Sequence, residues 1–67
     1  MKNKEEISVE IRRLRKEKGW TQIQLALNSG VNRSIIIRIE KGEQTTDLTT
    51  IIKVLESLGK KIVFEDI

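Results

Sequence analysis

The 67-residue chain contains no cysteine and no histidine. No disulfide or thiolate metal site can therefore brace the fold, and imidazole chemistry is absent. It has no apolar run of signal-peptide length and nothing approaching the ~20 apolar residues that span a bilayer. The expected location is the cytoplasm, with no membrane partner. Aromatic residues are limited to Trp20 and Phe64. No Pro/Ser-rich linker, charge block or repeat divides the chain, so one domain over residues 1–67 is expected. A chain this short buries only roughly 60% of its unfolded surface, which makes self-association useful to it. Ser34 and Asp47 have no basic partner at a recognisable catalytic spacing. The reading is thus not an enzyme, with no cofactor, metal or small-molecule substrate expected.

What is present is charge, unevenly placed. The net charge is +3. Residues 1–42 carry ten Lys/Arg against five Glu, and residues 43–67 carry three Lys against five Asp/Glu. The first part suits phosphate contacts, and the remainder is free to meet something other than nucleic acid.

Residues 21–40, TQIQLALNSGVNRSIIIRIE, hold two short helical patterns hinged at Gly30. Thr21 sits where an N-cap belongs, Leu25 and Ala26 are apolar, and Gly30 follows the last turn as a left-handed closing residue. Asn32 can cap the next helix, and Ile36 and Ile39, at i and i+3, point to the core. Two helices joined by a tight glycine-containing turn are the sequence form of a helix-turn-helix, whose second helix enters the DNA major groove. With Ile36 and Ile39 inward, Asn32, Arg33, Ser34, Ile37 and Arg38 fall on the outer face. Arg can donate two hydrogen bonds to guanine, Ser and Asn can serve several bases, and an aliphatic group can cover a thymine methyl. The competing reading of that face is an ordinary solvated polar surface.

The flanking segments read as support. Residues 1–4 are polar and expected to fray. From Glu5 to Lys18, Ile7, Ile11 and Leu14 recur at helical spacing, with acidic residues first and basic residues last, as the helix dipole prefers. Gly19 ends this helix, and Trp20 is expected beneath helices 1 and 2 rather than stacked on a base. Asp47 reads as the N-cap of a fourth helix with Leu48, Ile51, Ile52, Leu55 and Leu58 on its apolar face, ending at Gly59. Residues 60–67, KKIVFEDI, read as a short strand with Ile62 and Phe64 on one side and Val63 on the other. A lone strand has no intrachain partner, so this one is expected to pair with a second copy and place Ile62, Val63 and Phe64 in a dimer interface. The alternative is a frayed end of helix 4.

The run IRRLRKEKGWTQIQLALNSGVNRSIIIRIEKG resembles the Cro/C1-type (Xre) helix-turn-helix of phage repressors and bacterial regulators, over residues 7–58. GWTQ at 19–22, followed by TTDLTTIIKVLESL and the strand-like tail, is most similar to the HipB antitoxins, which bind the HipA kinase toxin. The implied fold is all-α, four compact helices with a short C-terminal strand pairing across a homodimer. The resemblance implies DNA contacts from Thr21, Gln22, Asn32, Arg33, Ser34, Ile37, Arg38 and Lys41, and a structural ion pair between Arg15 and Glu40. It implies a repressor of its own toxin–antitoxin operon with three partners: double-stranded operator DNA, a second copy and a HipA-like kinase. The alternative is a stand-alone prophage or host regulator without a toxin. The chain departs from the family at Ile23, Leu27, Ile35 and Ile37, where relatives commonly carry polar residues. Ile23 and Leu27 lie at i, i+4 on one outer face and form either a partner patch or ordinary exposed or extra-packed side chains.

Overall fold

The computed structural model describes residues 4–43, 47–61, 63 and 66, with side chains in the first helix from Ile7 onward. Four helices make up this part of the chain: α1 (Lys4–Glu17), α2 (Gln22–Ser29), α3 (Arg33–Glu40) and α4 (Leu48–Ser57). Among the described residues there is no strand. Within the expected strand at 60–67, Ile62, Phe64, Glu65 and Ile67 lie outside the described residues, and Val63 is exposed.

Local chemistry sets the ends of the helices. Thr21 and Gln24 form a reciprocal capping box at α2: the Gln24 N–H donates to Thr21 Oγ1 at 3.1 Å, and the Thr21 N–H donates to Gln24 Oε1 at 2.7 Å. Two otherwise unpaired donors are satisfied at once. Gly30 closes the helix at φ 72°, and its N–H donates to Ala26 O. A side chain at that φ would crowd the following carbonyl, which is why the turn takes glycine. Asn32 caps α3 through the Ser34 N–H at 2.8 Å, and Asp47 caps α4 through the Thr50 N–H at 2.9 Å. The bonds from Thr50, side chain first and backbone second, hold the Asp47 carboxyl below the usual carboxylate range.

Ile11 and Leu14 of α1, Leu25 of α2, Val31 of the turn, Ile36 and Ile39 of α3, and Val54 and Leu58 at the α4 end are buried together. Ile7, Trp20, Ala26, Ile35, Ile51 and Leu55 pack around them. Each large apolar side chain removed from water contributes about 1.5 to 3 kcal/mol, so the core depends on all four helices meeting. Trp20 is half-buried against this cluster, with the Lys18 ammonium 5.3 Å from its ring centre. α3 packs on both α2 and α1, and α4 packs on α2.

The face of α4 differs from the sequence expectation. Val54 is its fully buried residue, whereas Leu48 is mostly exposed. Packing against α2 turns Val54 and Leu58 inward, and Leu48, in the first turn, extends beyond the core. α1 also starts and stops one residue earlier than the pattern predicts, with Lys18 already in the following turn.

Candidate nucleic-acid interface

α2 and α3 are joined by Gly30, Val31 and Asn32. Val31 is buried, so this turn is anchored from below. Ile36, Ile39 and Glu40 face the interior, and Arg33, Ser34 and Arg38 are exposed on the opposite side, with Ile37 half-buried between them. Asn32 precedes this face and Lys41 follows it, both exposed. Thr21 and Gln22 lie at the start of α2, the first exposed and the second half-buried. The outward side of α3 therefore presents two guanidinium groups, a hydroxyl, an amide and one aliphatic side chain, a set that matches the donors, acceptors and thymine methyl of the major groove.

Hydrogen bonds limit what each group offers. Asn32 Oδ1 accepts from both the Ser34 N–H and the Ser34 hydroxyl, the latter at 2.7 Å. That leaves the Asn32 Nδ2 donors and the Ser34 oxygen lone pairs to face outward. Arg38 Nε lies 3.6 Å from Glu43 Oε1. Gln22 Nε2 donates to Glu40 Oε1 at 3.3 Å.

Glu40 ties the motif to α1. Its carboxylate is 4% exposed and accepts from Arg15 Nε at 2.7 Å and from Arg15 Nη2 at 3.0 Å. Arg15 Nη1 donates to Trp20 O at 2.8 Å, and Arg12 Nη1 donates to the Glu40 carbonyl at 3.1 Å. A charge this deep in the protein requires such partners, because leaving it unpaired is costly. Arg12 was not apparent as part of this network from sequence, although it stands one helical turn before Arg15 and thus on the same face. Glu43, which pairs with Arg38, was also not singled out. Its signal is the glycine before it: Gly42 takes φ 80°, its N–H donates to Ile39 O, and the Glu43 N–H donates to Arg38 O, a reversal that returns residue 43 to the helix end.

On the outer face of α2, Ile23 is 52% exposed and Leu27 is 77% exposed. Ile35 instead packs against the core. On α1, Arg13 pairs with Glu10 at 2.6 Å and with Glu17, and these contacts, the Glu10 hydrogen bond foremost, raise its pKa. Ion pairs on so exposed a face add little to stability. An open cleft of ≈ 260 Å³ lies between α1, α4 and the residues that follow α4, lined by Ile7, Glu10, Leu14, Leu55, Lys60 and Lys61. Among the described residues, no group of metal-binding side chains occurs and no helix is long and apolar enough to cross a membrane.

The helix-turn-helix family profile matches residues 11–64. Two curated relatives named Antitoxin HipB, from Escherichia coli strains CFT073 and K12, are each 40% identical over 45 residues, covering 67% of this chain and 48% and 51% of theirs. An uncharacterized HTH-type transcriptional regulator of Methanothermobacter thermautotrophicus is 42% identical over 57 residues, covering 85% of this chain and 81% of its own. The chain spans about half the length of the HipB relatives it matches. A solved structure titled MDT Protein superposes with a TM-score of 0.84 at 29% identity, covering 98% of this chain and 93% of that one.

Proposed function

The chain belongs to the Cro/C1-type (Xre) helix-turn-helix family of DNA-binding transcription regulators, and we propose that it is a homodimeric repressor that reads operator DNA with α3. Arg33 and Arg38 meet guanine edges, Asn32 and Ser34 serve neighbouring bases, and Ile37 covers a thymine methyl. Thr21, Gln22 and Lys41 meet the backbone phosphates on either side. The observation that carries this reading is the split of α3, with Ile36, Ile39 and Glu40 buried and Arg33, Ser34 and Arg38 exposed. Selection of bound fragments from a randomised duplex pool tests it. A chain that enriches no sequence, and binds every duplex alike at physiological salt, is not such a repressor.

Similarity to the HipB antitoxins supports a further role, neutralising a HipA-like kinase toxin and repressing the operon that encodes both. Ile23 and Leu27 offer such a partner an apolar surface on a helix that carries no charged residue. A kinase-sized protein that copurifies with the wild-type chain, and is lost on Ile23→Glu/Leu27→Glu substitution, supports the pairing; purification with no kinase opposes it. Residues 60–67 are proposed as the dimer element. Deletion of residues 62–67 should yield a monomer by sedimentation with much weaker operator binding, since two half-sites are no longer held together. A truncated chain that remains dimeric would assign the interface to the helices. The second reading, a regulator without a toxin, is favoured by the archaeal relative, which aligns over most of both chains and is named only as a transcriptional regulator.

A further inference from the structure

We infer that Glu43 is a specificity-determining residue that acts through Arg38: it orients the guanidinium for base contact and withholds it from indiscriminate contact with phosphate. The inference rests on the reading of α3 as the DNA-facing helix. Three observations lead to it. The position of Glu43 is fixed by its backbone, since Gly42 in the left-handed conformation lets the Glu43 N–H donate to Arg38 O at 3.0 Å. Its carboxylate meets Arg38 at the Nε edge, 3.6 Å away. Arg38 and Glu43 are about half-exposed, so neither is held by the core and each is the other's charged neighbour.

The chemistry follows from how a guanidinium divides its donors. Arg presents five N–H groups in a planar fork. A carboxylate at the Nε edge leaves the terminal Nη1 and Nη2 groups to address guanine O6 and N7 together. The same negative charge beside the guanidinium lowers its attraction to the phosphate backbone, which every sequence offers equally. Glu43 therefore acts in opposite directions on the two kinds of binding. It supports the one geometry that reads a base and weakens the contact that reads nothing, so its effect appears in the ratio of affinities more than in either affinity alone. Among the described residues, the ion pairs that involve α3 are Glu40 with Arg15 and Glu43 with Arg38, and only the second lies on the exposed face.

The test is a double-substitution cycle on Arg38→Ala and Glu43→Gln in the full chain. Two probes are used: the duplex that the wild-type chain enriches from a randomised pool, and a mixed-sequence duplex of equal length. Glu43→Gln should narrow the ratio of the two affinities by about two- to five-fold, the range expected for an exposed charge pair. In the Arg38→Ala background the same substitution should leave the ratio unchanged. An equal narrowing in both backgrounds overturns the inference, because Glu43 would then act only as a distant negative charge; so does a ratio that Glu43→Gln leaves intact. If Arg38→Ala itself alters binding to neither duplex, the assignment of α3 as the DNA face fails, and the inference fails with it. Unchanged thermal melting of each variant separates these outcomes from unfolding.

Discussion

Arg15 and Glu40 stand 25 residues apart in sequence and form a two-point contact, Nε to Oε2 at 2.7 Å and Nη2 to Oε1 at 3.0 Å, with side-chain exposures of 12% and 4%. The contact joins α1 to the last residue of α3, and Gln22 adds a third hydrogen bond from the start of α2. One carboxylate thus links three helices.

Removing one partner of this pair should be severe. Arg15→Ala leaves a buried carboxylate with only Gln22 and frees Trp20 O, at an expected cost of about 3 to 5 kcal/mol in denaturant unfolding. Replacing both partners with apolar residues, Arg15→Met with Glu40→Leu, should cost less than the sum of the single changes, since no charge is then stranded. A loss below about 1 kcal/mol for Arg15→Ala would mean that water reaches Glu40 and the pair is effectively a surface one.

Arg33 and Lys41 should separate base reading from phosphate attraction. Arg33→Ala is expected to cost about 1 to 3 kcal/mol and to relax preference at one base pair. Lys41→Ala should weaken all sequences alike and lower the salt slope by about one. Binding assays across a salt series on selected and mixed duplexes distinguish the two. If Arg33→Ala leaves the preference intact, the wrong face of α3 has been assigned.

Gly30 should be sensitive to backbone conformation and insensitive to space. A Cβ there meets nothing within 4 Å, yet φ is +72°. Gly30→Ala should therefore cost about 1 to 2 kcal/mol through conformation alone, and Gly30→Asn less, because Asn tolerates the left-handed region. Equal losses for both variants by thermal denaturation would point instead to a clash.

Asp47 should make the start of α4 acid-sensitive. Its folded pKa lies below its ordinary value because of the bonds from Thr50. A depressed carboxylate contributes stability that is fully present above the unfolded pKa, about 3.9, and is lost as pH falls through the lower folded value. The stability gap between wild type and Asp47→Ala should thus be constant from neutral pH down to about 4 and narrow below it. A gap that does not vary with pH would assign the capping to hydrogen bonding without charge.

The features legible in sequence are those decided within one helical turn. Thr21, Asn32 and Asp47 cap because a short polar side chain reaches a nearby N–H, and Gly30 closes α2 because few residues accept its φ. Ile36 and Ile39 face inward because α3 has only one apolar stripe that leaves its arginines outside. In α4 the run IIKVL offers several adjacent apolar faces, and periodicity does not say which one α2 will cover; Val54 was missed for that reason. Arg12 and Gln22 joined the Glu40 network unannounced, since which donors surround a buried carboxylate depends on how three helices meet. The contact between Arg38 and Glu43 required the reversal at Gly42, which places the carboxylate back over the helix it follows.

The attachment of α3 at both ends has a consequence for the energetics of recognition. Asn32 holds its first turn, and the Arg15, Arg12 and Gln22 donors hold its last residue. On the proposed reading of α3 as the DNA-facing helix, a helix fixed this way has little freedom left to surrender on binding, so the ordering cost of complex formation would fall mainly on the arginine side chains and on the nucleic acid. A rigid reader does not mould itself to an ill-fitting groove. On that reading the duplex must supply the fit, and sequences that bend or narrow at small cost should be favoured even at positions no side chain touches.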